Sequence, residues 1–349
     1  MNVTVHQRPG VYSAYDASSV VSGSGAGKQV GLVAVNAKAA ANEVKIVTSY
    51  DGAVNAFGQG TTAELVRLAL KNGAGAVAAV PIAGGEGYAD GFAALEGLED
   101  ITAVICDSTD GDVQKAMKQS VETASANRRE RIAVAAGGAG ETVDQLIARA
   151  KALNHERVVL VAPGGVNQNG ETADGLGVAA AVAGAIAGES DPAVPLGGAV
   201  LTGLYGLSGR YSDGEMDRLI LGGVTPVESL AGTVGVVRGV TTRTTTGEAA
   251  DATWRDLTTI RIVDDVIPTL RRALRTKFQR AKNTAQSRGA IRAQVVLELE
   301  NKKAREIITG YENVTVTADS QDPARCLVDF SFTVAHGLNQ IWLTAHITV

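Results

Sequence analysis

The sequence predicts an α/β fold: a core domain built on a largely parallel sheet, a smaller α+β domain after it, and an extended arm at each end of the chain. Three observations carry this. Between residues 29 and 187, continuous apolar runs of strand length alternate with segments of helical periodicity, the order expected of a parallel sheet covered on both faces. Around residues 233–246 the composition shifts to Val, Gly and Thr, and beyond it long helical patterns dominate. At both ends of the chain, apolar and polar residues alternate with period two, as in a half-buried strand.

In chain order, Val3 and Val5 alternate with Asn2, Thr4 and His6 before Arg8-Pro9-Gly10-Val11-Tyr12 breaks any helix. This is an N-terminal arm over 1–22. It lacks the basic n-region and continuous apolar h-region of a secretory signal and is expected not to be one. The core domain, 23–250, opens with strands at 30–35 and 44–48 and a short helix at 51–57 closed by Gly58. A helix at 61–72 follows: Thr61 and Glu64 have capping-box spacing, Leu65, Leu68 and Ala69 form one face, and Gly73 stops it. Strands at 75–82, 101–106, 132–136 and 158–162 then alternate with helices at 88–98, 113–126, 142–153 and 173–187. The run Thr241-Thr242-Arg243-Thr244-Thr245-Thr246 and the loop residues after it place the domain boundary at 250.

In the C-terminal domain, 251–338, Val263, Ile267, Leu270, Leu274 and Phe278 fall at helical spacing, with Pro268 near the start where a first turn tolerates it. A second helix is expected at 292–308 and a strand at 314–317. Cys326, Val328, Phe330, Phe332 and Val334 then alternate with polar residues and Leu327. After His336-Gly337-Leu338-Asn339 the alternation resumes in Ile341, Leu343, Ala345, Ile347 and Val349. This last run, 339–349, is a C-terminal strand arm whose backbone groups need a partner. Two pairings satisfy the arms: within their own subunit, or by strand donation to a neighbour.

Composition bounds the chemistry. The chain of 349 residues is 45% hydrophobic but only 4% aromatic and carries 41 glycines, so its cores are built from Ala, Val, Leu and Ile. No apolar run reaches the roughly 18 residues needed to span a bilayer. A net charge of -5 argues against general nucleic-acid binding. The charge is unevenly placed: ten Lys or Arg against three Asp lie between Arg255 and Arg292, so this segment carries +7 and the remainder -12. Arg271, Arg272, Arg275, Lys277, Arg280 and Lys282 are assigned to the helix face opposite the apolar one. That face is either simply solvated or docks on an acidic partner. Cys106 and Cys326 are isolated, which fits a reducing compartment.

Several motifs resemble catalytic ones and fail in detail. Gly23-Ser24-Gly25-Ala26-Gly27-Lys28-Gln29 has Gln29 where a phosphate loop needs Ser or Thr for magnesium, and it precedes a strand instead of following one. Gly137-Gly138-Ala139-Gly140 follows a strand and precedes a helix, but Val143 stands at the last glycine position of the dinucleotide fingerprint, which favours a tight turn. His6, His155, His336 and His346 are dispersed, and Ser208 in Gly206-Leu207-Ser208-Gly209-Arg210 lacks the second glycine of a nucleophile elbow. The sequence therefore predicts a structural protein, with no catalytic residues, cofactor or metal. A nucleotide-binding α/β enzyme is the alternative, and a tube-less filament-forming shell protein a third reading.

Taken together, several segments resemble the contractile-tail sheath proteins of bacteriophages and phage-derived bacteriocins. They are Arg8-Pro9-Gly10-Val11-Tyr12; the strand pair at 30–48 followed by Phe57-Gly58; the helix, Asn72-Gly73 and strand that follow; 215–223 leading to Val224-Thr225-Pro226; 237–244; Trp254-Arg255-Asp256-Leu257; and the closing strand. One departure is that Ala39-Ala40-Ala41-Asn42 stands where family members often show a Gly-Pro turn. The resemblance implies a subunit that polymerises helically around an inner tail tube protein, meets baseplate and tail terminator proteins, and contracts to drive the tube through a cell envelope. It implies assembly in the bacterial cytoplasm, no membrane insertion, and a core likened in fold to subtilisin but without its triad. On this reading Val3, Val5, Val11 and Tyr12 form one donated strand and Ile341, Leu343, Ala345, Ile347 and Val349 the other. Arg271, Arg272, Arg275, Lys277, Arg280 and Lys282 become candidates to face the tube.

Overall fold

The computed structural model describes residues 29–339. Both arms' assigned strand residues, and Gly23 to Lys28, lie outside that range. The strands and helices follow the predicted alternation: β1 Gln29–Val35, β2 Lys45–Val47, α1 Tyr50–Phe57, α2 Thr61–Lys71, β3 Ala76–Ile82, α3 Tyr88–Glu96, β4 Ile101–Cys106, α4 Gly111–Ala126, β5 Ile132–Ala136, α5 Val143–Leu153, β6 Val158–Ala162 and α6 Leu176–Gly188. They continue as β7 Val200–Leu201, α7 Asp213–Leu221, β8 Val224–Leu230, β9 Thr233–Val236, β10 Thr245–Thr246 and β11 Ala249–Ala250. The last four are α8 Leu257–Phe278, α9 Ala285–Ala304, β12 Ile308–Ala318 and β13 Cys326–Val334.

Nine strands form one sheet in the order β2-β3-β1-β4-β5-β6-β8-β9-β7. From β3 to β8 the pairings are parallel; β2, β9 and β7 are added antiparallel at the two sides. Along β1, Val30, Leu32 and Ala34 enter one apolar cluster with α1, α2 and α6, while Val33 enters the other, with α3, α4, α5 and α7. Period-two alternation thus serves two faces that are both buried, which is why these strands read as continuous apolar runs.

The glycine and alanine content is used between α2 and α6. Helix α6 is Ala- and Gly-rich and almost wholly buried. A Cβ on Gly184 would lie 2.3 Å from the Ala69 carbonyl oxygen, and one on Gly73 2.9 Å from the Gly188 Cα. The two helices touch through backbone, and only Gly satisfies such an approach.

Four local expectations are corrected. Thr61 is the first residue inside α2, with Gly60 as N-cap and no side-chain cap; Glu64 instead receives the Arg67 guanidinium, Nε to Oε2 at 2.7 Å. Capping boxes form instead at Thr142–Gln145 on α5 and at Ser212–Glu215 on α7. Pro268 stands mid-way along α8, because that helix begins at Leu257 instead of just before the proline. Helix α9 starts at Ala285, capped by the Thr284 hydroxyl accepting from Ser287 N–H, and ends at Ala304, so Ile308 opens β12. At the departure from the Gly-Pro turn, Asn42 takes the left-handed backbone, φ 61°, a conformation Asn tolerates better than most residues.

The Thr-rich run is not an open loop. Thr241 and Thr242 are fully buried: Thr241 Oγ1 donates to Trp254 O at 2.7 Å, and Thr242 Oγ1 accepts from His155 N–H and donates to His155 O. Short side chains that bond to nearby backbone let this crossing segment be buried with its polar groups satisfied.

Candidate functional site

The C-terminal unit is small: α8 and α9 pack together, and the two-stranded antiparallel sheet β12–β13 packs on α9. Its core holds Ile262, Val266, Ile267, Leu270, Val295, Leu299, Ile307, Ile308 and Val314. Along β13 every second residue faces that core, yet Cys326, Val328, Phe330, Phe332 and Val334 are each only partly buried. The Phe330 and Phe332 rings stack at 6.3 Å with planes 20° apart. Among the described residues, neither outer edge of this sheet has a partner strand. A two-stranded ribbon with open edges and a half-covered apolar face is a surface for strand addition.

The far end of the unit is tied together. Asn283, between α8 and α9, donates from Nδ2 to Pro323 O at 2.8 Å and to Arg325 O at 3.1 Å in the β12–β13 turn, and Arg288 Nη1 donates to Asn283 Oδ1. The helix turn and the strand turn therefore form one tip. Arg280 and Lys282 are exposed on that tip, and Lys277, also exposed, bonds Gln294 Oε1 at 2.5 Å.

The six predicted basic residues do not share one face. Arg271 follows Ile267 by one turn and lies on the same side as that buried residue; its guanidinium meets Glu130 at 3.1 Å, with both side chains about one-tenth exposed. Arg272 and Arg275 are exposed and flank the cleft beside that pair. The assignment of Arg271 to the outer face is thus corrected, while the other five face outward.

A second set of contacts joins the C-terminal unit to the large sheet. Arg157, at the start of β6, pairs with Asp264 on α8 at 2.5 and 2.8 Å in bidentate geometry, and its side chain is 4% exposed. Arg261 donates to the backbone oxygens of Glu189 and Val194. Burial pushes the Asp264 carboxyl up to about 6, more than Arg157 holds it down. On α9, Lys302 pairs with Asp265. The sequence offered no sign of these pairs, whose members stand 107 and 141 residues apart for Arg157–Asp264 and Glu130–Arg271.

The motifs with a catalytic look have structural occupations. At the end of β5, the Gly138 N–H donates to Glu141 Oε2 at 2.8 Å, and Glu141 is in turn held by Arg149, so the loop's own carboxylate fills the place of an anion. Gly140 takes φ 71°, as a tight turn requires. Ser208 N–H bonds Gly164 O. Among the described residues, no group of three or more His, Cys, Asp or Glu side chains is placed to hold a metal ion.

Comparison with known proteins adds the following. Residues 82–242 match the family model for the phage tail sheath protein central domain, and residues 249–348 that for the phage tail sheath C-terminal domain. No curated protein is similar to the chain in sequence. The fold is similar to the helical sheath of the anti-feeding prophage in its contracted state, at 17% identity and a TM-score of 0.73 over 98% of this chain and 99% of that one. It is similar to the sheath complex of the PVC extracellular contractile injection system, also contracted, at 17% identity and 0.69 over 99% of both chains. A sheath tail protein from Desulfitobacterium hafniense matches at 13% identity and 0.70, over 93% of this chain and all of that one.

Proposed function

The chain belongs to the phage tail sheath family, whose two domain models cover most of it, and from that premise we propose how it acts as a structural tail sheath subunit in a phage tail or contractile injection system particle. It polymerises helically around an inner tube, and the array shortens on triggering to drive that tube through a cell envelope. The observation that carries this reading is the β12–β13 ribbon, which leaves two edges and an apolar face for strands from outside the described fold. Val3, Val5, Val11 and Tyr12 of one arm, and Ile341, Leu343, Ala345, Ile347 and Val349 of the other, supply those strands from neighbouring subunits. Head-to-tail links of this kind give open polymers, and two packings of the same bodies store the energy without a nucleotide.

Deleting residues 339–349 leaves a folded monomer that forms no tubes in negative-stain electron microscopy; a truncated chain that still polymerises defeats strand donation. Arg272 and Arg275 beside the cleft, and Lys277, Arg280 and Lys282 towards the tip, face an acidic tube surface, whereas Arg271 serves the cleft. Reversing four of these five charges weakens sheath loading on the tube most at low salt, because exposed charges are screened. Loading that is unchanged at low and moderate salt removes this assignment. Baseplate and terminator proteins cap the polymer's two ends, and assembly takes place in the bacterial cytoplasm. We divide the chain at 22, 250 and 338 and read the core as subtilisin-like in layout; limited proteolysis at those points tests the division. The nucleotide-enzyme alternative has no support in the glycine turn, whose amide is taken by Glu141.

A further inference from the structure

Two apolar clusters meet on α8 without merging. Leu257, Ile260 and Val263 belong to the cluster beneath the sheet; Ile262, Val266, Ile267 and Leu270 belong to the cluster shared with α9 and the ribbon. Beside the helix, a cleft of about 570 Å³ separates the start of β4, the end of α4 and the end of α6 from α8, and its walls are charged. Glu130 and Arg271, both lining it, form an ion pair of low exposure, and Asp264, also on its wall, pairs with Arg157 behind it. Pro268 lines the same cleft. It has no N–H to offer the carbonyl one turn back, so α8 lacks a rung where it passes the cleft, which lowers the cost of bending there.

We propose that the cleft is an electrostatic latch: Arg157–Asp264 and Glu130–Arg271 set the angle between the large sheet and the unit formed by α8, α9, β12 and β13, and losing those charges lets the unit swing about α8 near Pro268. An apolar seam would fix the angle by close packing whatever its ionic state. Here the part of the seam beyond Val263, where α8 leaves the sheet's apolar cluster, is held by directional charge pairs, one of them bidentate, beside a cavity large enough for water. The pairs sit on opposite sides of Pro268, at Asp264 and Arg271, so together they hold both halves of the helix against the sheet. The inference concerns one subunit and stands whether or not the chain polymerises.

The test uses the full-length protein with Cys326→Ser and spin labels at Asp112→Cys on α4 and Asn301→Cys on α9, both exposed positions, diluted into unlabelled chain. Pulsed electron spin resonance reads the distance between them. The latch predicts one narrow distance in the parent, and a shifted, broadened distribution in Glu130→Gln/Asp264→Asn. The charge swap Glu130→Arg/Arg271→Glu restores the narrow distance. An unaltered distribution in the charge-removed protein overturns the proposal. Should that variant fail to fold, by circular dichroism on the same sample, the swap decides: a narrow parental distance supports the latch and a broad one refutes it.

Discussion

The nine-stranded sheet and the β12–β13 ribbon are finished in opposite ways. In the large one, β4, β5 and β6 lie between helices on both faces, and short antiparallel strands of two to four residues, β2, β9 and β7, close its sides. In the small one, strands of eleven and nine residues stand alone as a ribbon with half-exposed aromatics. The large sheet contains everything needed to bury itself. Among the described residues the ribbon's two outer edges have no partner strand, and on the proposed reading strands from neighbouring subunits complete it. The difference separates a sheet buried by the chain's own helices from one that stays half covered among the described residues.

The largest expected effect lies in the body. Leu160, fully buried in β6, truncated to Ala, loses about 2–5 kcal/mol of stability in denaturant titration, and a loss below about 1 kcal/mol shows that the body is looser than its packing implies. An intermediate effect lies at the seam. The Asp264 carboxyl sits at about 6 in the fold against about 3.9 in the unfolded chain, so the folded state binds its proton more tightly. Its stabilising contribution is therefore complete below about pH 4 and is lost as pH rises through 6, by up to roughly 3 kcal/mol. The groups facing it are Arg157, Glu130 and Glu156, with Arg261 and Asp265 alongside on α8, Arg271 two turns beyond and Lys302 on α9. His155, depressed by burial, titrates with the opposite sign, so the informative quantity is the difference between the parent and Asp264→Asn across pH 4 to 7. A slope identical in both removes Asp264 as the cause.

The smallest effect on the monomer lies in the ribbon. Phe330→Ser costs the isolated subunit about 1 kcal/mol, since its ring is only half buried, yet it abolishes tube formation. A variant that polymerises normally collapses the distinction between the two sheets. A variant that unfolds like Leu160→Ala does the same from the other side.

How much of this was legible follows the range of the interactions. Strands β1, β3, β4, β5 and β6 are visible because burial on both faces makes an uninterrupted apolar run. The ribbon's alternation was visible for the converse reason, one covered face. Helix α9 was mis-started because its first turns, Ala285 to Ile291, have few apolar residues and a Gly at 289, and are specified by the Thr284 cap instead. Arg271 was misplaced because a long side chain can bury its stem and reach a distant carboxylate, and nothing within the helix announces Glu130. The burial of the Thr-rich run is not legible in the sequence, since Thr serves buried backbone clasps and exposed turns alike.

The backbone contact between α2 and α6 has a consequence for heredity. At Gly184, a replacement of any size meets the Ala69 carbonyl oxygen within 2.3 Å, and every coding change there adds atoms. The seam has no neutral neighbours in sequence space, so it is where conditional, heat-sensitive alleles of this subunit should accumulate.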